Sequence, residues 1–563
     1  MRPSPPLQRL RALRSVFGPA AEHEKRALLT RLRGIRLDTF AQVNALHEDL
    51  LFLCAFPGAR STRALARRML GEIGERIRRI ASAQRVAAED SGMAGSITRH
   101  ILPYAIAQWL VRQAPDHLEI DWRNFADPAP LDGFIGLLLS DAEREAFDGG
   151  EFATRAWIQL ARRTGARTDL EWLMEVAAAS PAHAQRLADE WDNAEVPLAW
   201  ALGESRWSAT HNRLPVAITL RTSLRRPAAD VFAEVARPLE SVELLSRANA
   251  RRVAASARAA LAARCREVNA MTYPNSDEVW WCELGEGIAL AVIGIARSQR
   301  LTLETNTGYL LFAQGLPIGY GGVTPLFRQA NTGINIFDPF RGGEAAFLWT
   351  QMLRAFHTLF GSRRFVINAY QFGAGNAEAI RSGAFWFYYR LGFRPAHPGT
   401  RTIAAREAAR MASDRKYRSD VRTLKALATG DLHFDLPGFD PTDFFDEALL
   451  PQVGAAAARQ LAGVPDWSRA RAERHLADAV AAELGAGDRA RWPAGDRRGF
   501  EILAPVVASL ASLRDWSAAE RQALSVMMRA KGSSQERDFA LAAARAARFH
   551  RELAASLRNR TRA

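Results

Sequence analysis

Residues 332–348, TGINIFDPFRGGEAAFL, decide how the chain is read. TGINIFD is short and rich in β-branched and aromatic residues, which predicts a strand. It runs through Arg341-Gly342-Gly343 straight into an apolar run that predicts a helix over Glu344 to Phe360. Paired glycines let backbone N–H groups point into open space where the helix begins. Orphan donors and the positive end of the helix dipole together suit a phosphate. Arg341 adds a charge-assisted donor.

Working outward, the same texture continues on both sides. Upstream lie IALAVIGIA (288–296), LTLETNT (301–307), GYLLFAQ (308–314) and LPIGYGGV (316–323), all strand-like and bounded by Gly, Asn or Pro. Gln314-Gly315-Leu316-Pro317 reads as a hairpin turn. Downstream come the strand RFVINAY (364–370), the glycine-rich loop QFGAGN (371–376) and a helix over Ala377 to Leu391. Strands and helices mixed in this order predict an α+β domain. One mixed sheet is expected over 288–437, with helices 344–360 and 377–391 packed on it.

This order resembles the GNAT superfamily of N-acetyltransferases, over roughly residues 260–437. In that family a strand leads to an R/Q-x-x-G-x-G/A turn and a helix. A second strand splays away from the first, and a later helix ends in Tyr-x-x-x-Gly-Phe. Tyr388-Tyr389-Arg390-Leu391-Gly392-Phe393 matches that ending, and Ala384 falls where the family usually has alanine. The resemblance implies acetyl-CoA or another acyl-CoA as co-substrate, with an amine on a small molecule or a protein as acceptor. It implies a pyrophosphate cradle at Phe340, Arg341, Gly342, Gly343, Ala345 and Ala346. Tyr388 matches the tyrosine that protonates the departing thiolate, although an aromatic core stripe (Phe385 to Tyr389) is the competing reading. Deprotonating the amine calls for a carboxylate, and Asp338 and Glu304 are the candidates. The segment 269–286, NAMTYPNSDEVWWCELGE, stands where the acceptor pocket is built.

The chain departs from the pattern at Glu344, which takes the first glycine position of the turn. A carboxylate suits a helix N-terminus but repels a pyrophosphate. Either Gly342 and Gly343 line the cradle in a shifted register, or cofactor binding is weakened or lost. The second outcome defines an alternative, a catalytically inactive GNAT-like domain in a helical scaffold. Arg381 also stands where the family often has asparagine, and Asn376 lies five residues earlier.

The flanks predict helix. Residues 1–255 carry Ala, Leu and Arg at three- and four-residue spacing, as do residues 438–563. Three regions are therefore expected: helical 1–255, GNAT-like 256–437 and helical 438–563. Asp440, Asp443, Asp446 and Glu447 read as helix caps rather than metal ligands. The tail is the densest basic segment, with Arg545, Arg548, Arg551, Arg558, Arg560 and Arg562.

Composition narrows the function classes. The 563 residues, 48% of them hydrophobic and 24% charged, suit a globular protein with ample core. Net charge is +14, yet all but four of the 75 basic residues are arginine (the lysines are Lys25, Lys416, Lys425 and Lys531). A GC-rich bacterial genome writes arginine and alanine at lysine's expense, so the charge argues only weakly for a nucleic-acid partner. Three scattered cysteines, Cys54, Cys265 and Cys282, give neither a disulfide framework nor a zinc site. They suit a reducing cytoplasm. No apolar run reaches the length of a membrane span. P-loop, H-E-x-x-H and G-x-S-x-G motifs are missing, and the eleven histidines do not pair at ligand spacing.

Overall fold

The computed structural model describes residues 5–114, 117–148, 150–465, 468–510 and 513–562. Its centre is a ten-stranded mixed sheet. Three short strands precede that sheet in the chain, β1 (Ile97–Ile101), β2 (Leu118–Ile120) and β3 (Pro197–Ala201). They form an antiparallel sheet of their own in the order β1-β3-β2. The region before 255 is therefore not all helical, contrary to its periodicity. ITRHI and LEI are too short, and too polar at alternate positions, to stand out from helical surroundings.

The large sheet contains β4 (Val242–Leu244), β5 (Pro274–Gly285), β6 (Ile288–Ile295), β7 (Thr307–Ala313), β8 (Leu316–Leu326), β9 (Gln329–Thr332), β10 (Asn335–Ile336), β11 (Arg364–Ile367), β12 (Arg394–Pro395) and β13 (Leu432–Asp435). Their order is β12-β13-β11-β9-β8-β7-β6-β5-β4, with β10 paired to β8. Neighbours are antiparallel except β9 and β11, which are parallel. Every residue of β6 is buried. Such an unbroken apolar strand is the mark of a sheet covered on both faces. The β7–β8 turn is Gln314-Gly315, at φ 51° and 79°. Two consecutive positive φ values are what a tight two-residue hairpin needs to follow the strand twist.

Several elements differ from expectation. LTLETNT is not a strand: only Thr307 belongs to β7, and Leu303 turns into the core of the C-terminal helices. The segment 269–286 is a one-turn helix, Asn269–Thr272, followed by the long strand β5. The helix expected over 377–391 is two helices, Ala377–Ser382 and Ala384–Arg390, parted at Gly383 with φ 65°. The helix over Ala345–Phe360 matches its pattern, with Leu348, Met352, Phe356 and Leu359 among its buried residues.

Three cores hold the chain. The largest runs from the N-terminal helices, through Leu46, Leu50 and Leu53, into the sheet and the Ala345–Phe360 helix. A second lies among the helices after 445, and a third joins β1–β3 to their surrounding helices. In the expected capping cluster, Asp440 and Asp446 accept from the Thr442 and Ala448 amides. Asp443 is buried against Arg328 at 2.7 Å. The side chains of Arg560 and Arg562 lie outside the described residues. No helix among the described residues is long and apolar enough to cross a membrane.

Candidate active-site cleft

β9 and β11 run side by side for three residues, Gln329 to Asn331 against Arg364 to Val366. Then they part. Ile367 pairs only with Leu432 of β13, while Asn335 and Ile336 turn to Tyr320 and Gly319 of β8. The break falls at Gly333-Ile334, and two phenols hold it. Tyr309 donates to the Gly333 carbonyl, and the Ile334 amide donates to the Tyr388 hydroxyl. The Gln371 carboxamide lies across Gly333, 2.8 Å from where a Cβ would sit.

The parting opens onto a cavity of about 750 Å³. Its floor is Tyr320 to Gly322 of β8 and residues 335–339. One wall comes from the N-terminal helix Phe40–Ala55 and the turn at 264–268. The opposite wall comes from Tyr370, Gln371, Asn376 and Glu378. The lining is mainly polar and carries five carboxylates and three arginines; a cleft of this size has room for a small molecule.

Arg341 and Asp338 line this cleft. They are joined to each other at 3.0 Å, and Arg341 reaches Glu378 at 2.9 Å. Phe340 does not face it; the ring is buried beneath the turn in the main core. Gly342 is exposed at φ 79°, a conformation that suits glycine, and a Cβ there would meet nothing within 4 Å. Gly343 backs onto Phe56, whose ring lies 3.6 Å from the site of a Cβ. Ala345 and Ala346 are half-buried. The amides of Ala345, Ala346 and Phe347 have no acceptor among the described residues.

Glu344 is turned away from those amides. Its carboxylate is buried, accepting from Arg221 and from the Arg225 amide. Arg221 reaches it from an extended strap that also crosses the two hairpin ends. The Leu214 amide donates to the Gly315 carbonyl at 2.8 Å, and Arg221 donates to the Glu286 carbonyl at 3.0 Å. The departure from the family turn is thus a buried ion pair that anchors the helix start, not a charge facing the cleft.

Tyr388 and Glu304 are not on the cleft. Tyr388 is buried between Trp349 and Phe393. Burial pushes its phenol up, so it stays protonated. Glu304 lies on the side of the sheet that faces the C-terminal helices, where its charge helps lift the Glu447 carboxyl to about 7; burial of Glu447 is the larger cause.

Sequence reasoning missed three cleft residues: Tyr320, Arg264 and Arg266. The two arginines sit in AARCREV, which reads only as the end of a helix. Arg264 lies 4.1 Å over the Phe337 ring, and burial lowers its pKa to about 10. It therefore remains a cation at neutral pH. His47 lines the same wall as a neutral imidazole, held to about 3 by burial and bonded to Thr210 at 3.0 Å. Comparison with known protein families, characterised proteins and solved structures finds no match to this chain.

Proposed function

We propose that the chain is an acyl-CoA-dependent N-acyltransferase of the GNAT type, moving an acetyl or related acyl group to an amine. The observation that carries this reading is the parting of β9–β10 from β11, onto a cleft lined by Arg341 just ahead in sequence of the uncapped start of the Ala345–Phe360 helix. An amide-bearing arm pairs with a free strand edge, and a pyrophosphate takes the orphan amides of Ala345 to Phe347 with Arg341 at the rim. The strand order β9-β11-β13-β12 and the GNAT-type ending at Gly392-Phe393 agree with it. Three free thiols suit a reducing cytoplasm.

The chemistry is direct attack. The amine nitrogen bonds to the thioester carbonyl carbon, the C–S bond breaks, and the nitrogen loses a proton. Asp338, on the cleft floor beside Tyr320, is the carboxylate proposed to receive that proton, directly or through water. The leaving thiolate needs a proton, and Tyr320 on the floor is placed to give one. Burial holds its phenol up, while Arg266, Arg264 and Arg341 draw it back down.

A second reading, a cofactor-free scaffold, is favoured by the burial of Tyr388 away from the cleft. Free-thiol release from acetyl-CoA across a panel of amines separates the two. Turnover that falls at least tenfold in Asp338→Asn supports the enzyme. A folded protein that neither binds acetyl-CoA nor releases thiol on any amine supports the scaffold.

A further inference from the structure

The Arg247–Ala262 helix ends in a left-handed turn. The Arg266 amide donates to the Leu261 carbonyl at 3.0 Å, and Cys265 between the two arginines has φ 53°. This is the closure that satisfies the last helical carbonyls. It turns the Cys265 thiol toward the Arg99 carbonyl, 3.8 Å away. The guanidiniums on either side line the cleft.

Neither guanidinium has a carboxylate within ion-pair reach among the described residues. Elsewhere Arg99, Arg354 and Arg364 are paired with Asp121, Glu234 and Asp435, while Arg258 and Arg213 spend their N–H groups on backbone carbonyls. Arg264 donates one N–H to the Ala260 carbonyl at 2.9 Å and packs on Phe337. The rest of its N–H fork is left to the cleft. Arg264 is the desolvated cation of the two, and Asp338 acts on it only from beyond ion-pair distance, an arrangement that is costly. Arg266, Arg264 and Arg341 all act on Tyr320; Arg341 is already paired with Asp338 and Glu378, which leaves Arg264 and Arg266 as the two guanidiniums of the cleft without an ion-pair partner among the described residues.

We propose that Arg264 and Arg266 form an oxyanion site, beside Tyr320, that binds the carboxylate or phosphate of the acyl acceptor. Asp90 and Glu267 line the same cleft and suit the ammonium end of that molecule. The acceptor class is then an amine that also carries an oxyanion, an amino carboxylate or amino phosphate. Its assignment to the acceptor rests on the acyltransfer reading; the anion site itself does not.

The probe is inorganic phosphate, titrated calorimetrically into the full chain, with coenzyme A in a separate arm. Saturable phosphate binding is expected, weakened tenfold or more in Arg266→Gln and in Arg264→Gln, and partly retained in Arg264→Lys. Arg266→Gln alters an exposed side chain, so it tests the site even where Arg264→Gln unfolds. Phosphate affinity unchanged in Arg266→Gln, or no saturable binding by the wild type, overturns the site. Coenzyme A affinity unchanged in Arg266→Gln assigns the anion to the acceptor. An equal loss for coenzyme A overturns that assignment and gives the arginines to the donor's phosphates. A wild type that binds phosphate through these arginines but binds no coenzyme A keeps the anion site and removes the acyltransfer reading.

Discussion

Glu344 and Arg221 are both almost fully withdrawn from water, and each is the other's charge partner. Removing Arg221 leaves the buried Glu344 charge uncompensated, a loss of about 3–5 kcal/mol; removing Glu344 leaves Arg221 only Glu286, 3.8 Å away, and should cost less. Glu344→Gln and Arg221→Met should each lower the urea midpoint accordingly. The double replacement Arg221→Met with Glu344→Met should recover most of the loss, because a pair of similar volume without charge needs no counter-ion. Tyr388 behaves differently. Its hydroxyl accepts from the Ile334 amide inside the core, so Tyr388→Phe orphans a buried donor. A stability loss of about 1–3 kcal/mol is expected, with acetyl-CoA affinity within about threefold of wild type. A Tyr388→Phe protein of unchanged stability whose thiol release falls a hundredfold would return that phenol to the chemistry.

At the scale of elements, the glycines of the helix pair Ala377–Ser382 and Ala384–Arg390 carry the geometry. Gly383 at φ 65° splits the helix, and Gly392 at φ 101° closes it where a Cβ would meet Phe232 at 2.9 Å and Phe434 at 3.1 Å. Gly383→Ala adds only left-handed strain, about 1–2 kcal/mol. Gly392→Ala adds overpacking to that strain and should cost more, about 3 kcal/mol in thermal or urea unfolding. The helix over 345–360, the β7–β8 hairpin and the central strands were legible because their apolar period and turn residues agree. LTLETNT was misread because Leu303 is apolar for the sake of the C-terminal helices, not the sheet. Strands β1–β3 left little trace, being three to five residues long. Of the cleft, Arg341 and Asp338 were legible from the strand-turn-helix motif. Arg264 and Arg266 were not, since only tertiary packing brings a helix end from before the sheet onto the strand parting.

Across the whole molecule, the sheet meets the C-terminal helices through buried ions. Glu278 of β5 accepts from the Glu536 and Arg537 amides at 2.8 and 2.7 Å. Arg300 lies 3.7 Å from Glu278, and Lys531 bonds Glu536 at 3.0 Å. Burial, with the neighbouring Glu536 charge adding to it, raises Glu278 to about 7. The folded chain then holds a proton there that the unfolded chain has lost above about pH 4.5. Glu278 therefore contributes stability that is full at low pH and is lost as pH rises through 7. His550 and His433, held to about 4 by burial, pull the opposite way below pH 6.5. The difference between wild type and Glu278→Gln isolates the carboxyl. The wild type should gain on the variant between pH 8 and pH 5 in urea unfolding, and a difference independent of pH would refute this.

The most direct measurement is calorimetric titration of acetyl-CoA into the full chain and into Gly343→Val. A side chain at 343 points onto the Phe340 carbonyl and the Phe56 ring, so valine acts by displacing the turn that presents the helix start. Losing one charged hydrogen bond is worth about 1.5–3 kcal/mol, a tenfold or greater loss of affinity. Saturable binding by the wild type that weakens at least tenfold in a folded Gly343→Val protein is expected. No binding by the folded wild type, or equal binding by both, would contradict an acyl-CoA site at the strand parting.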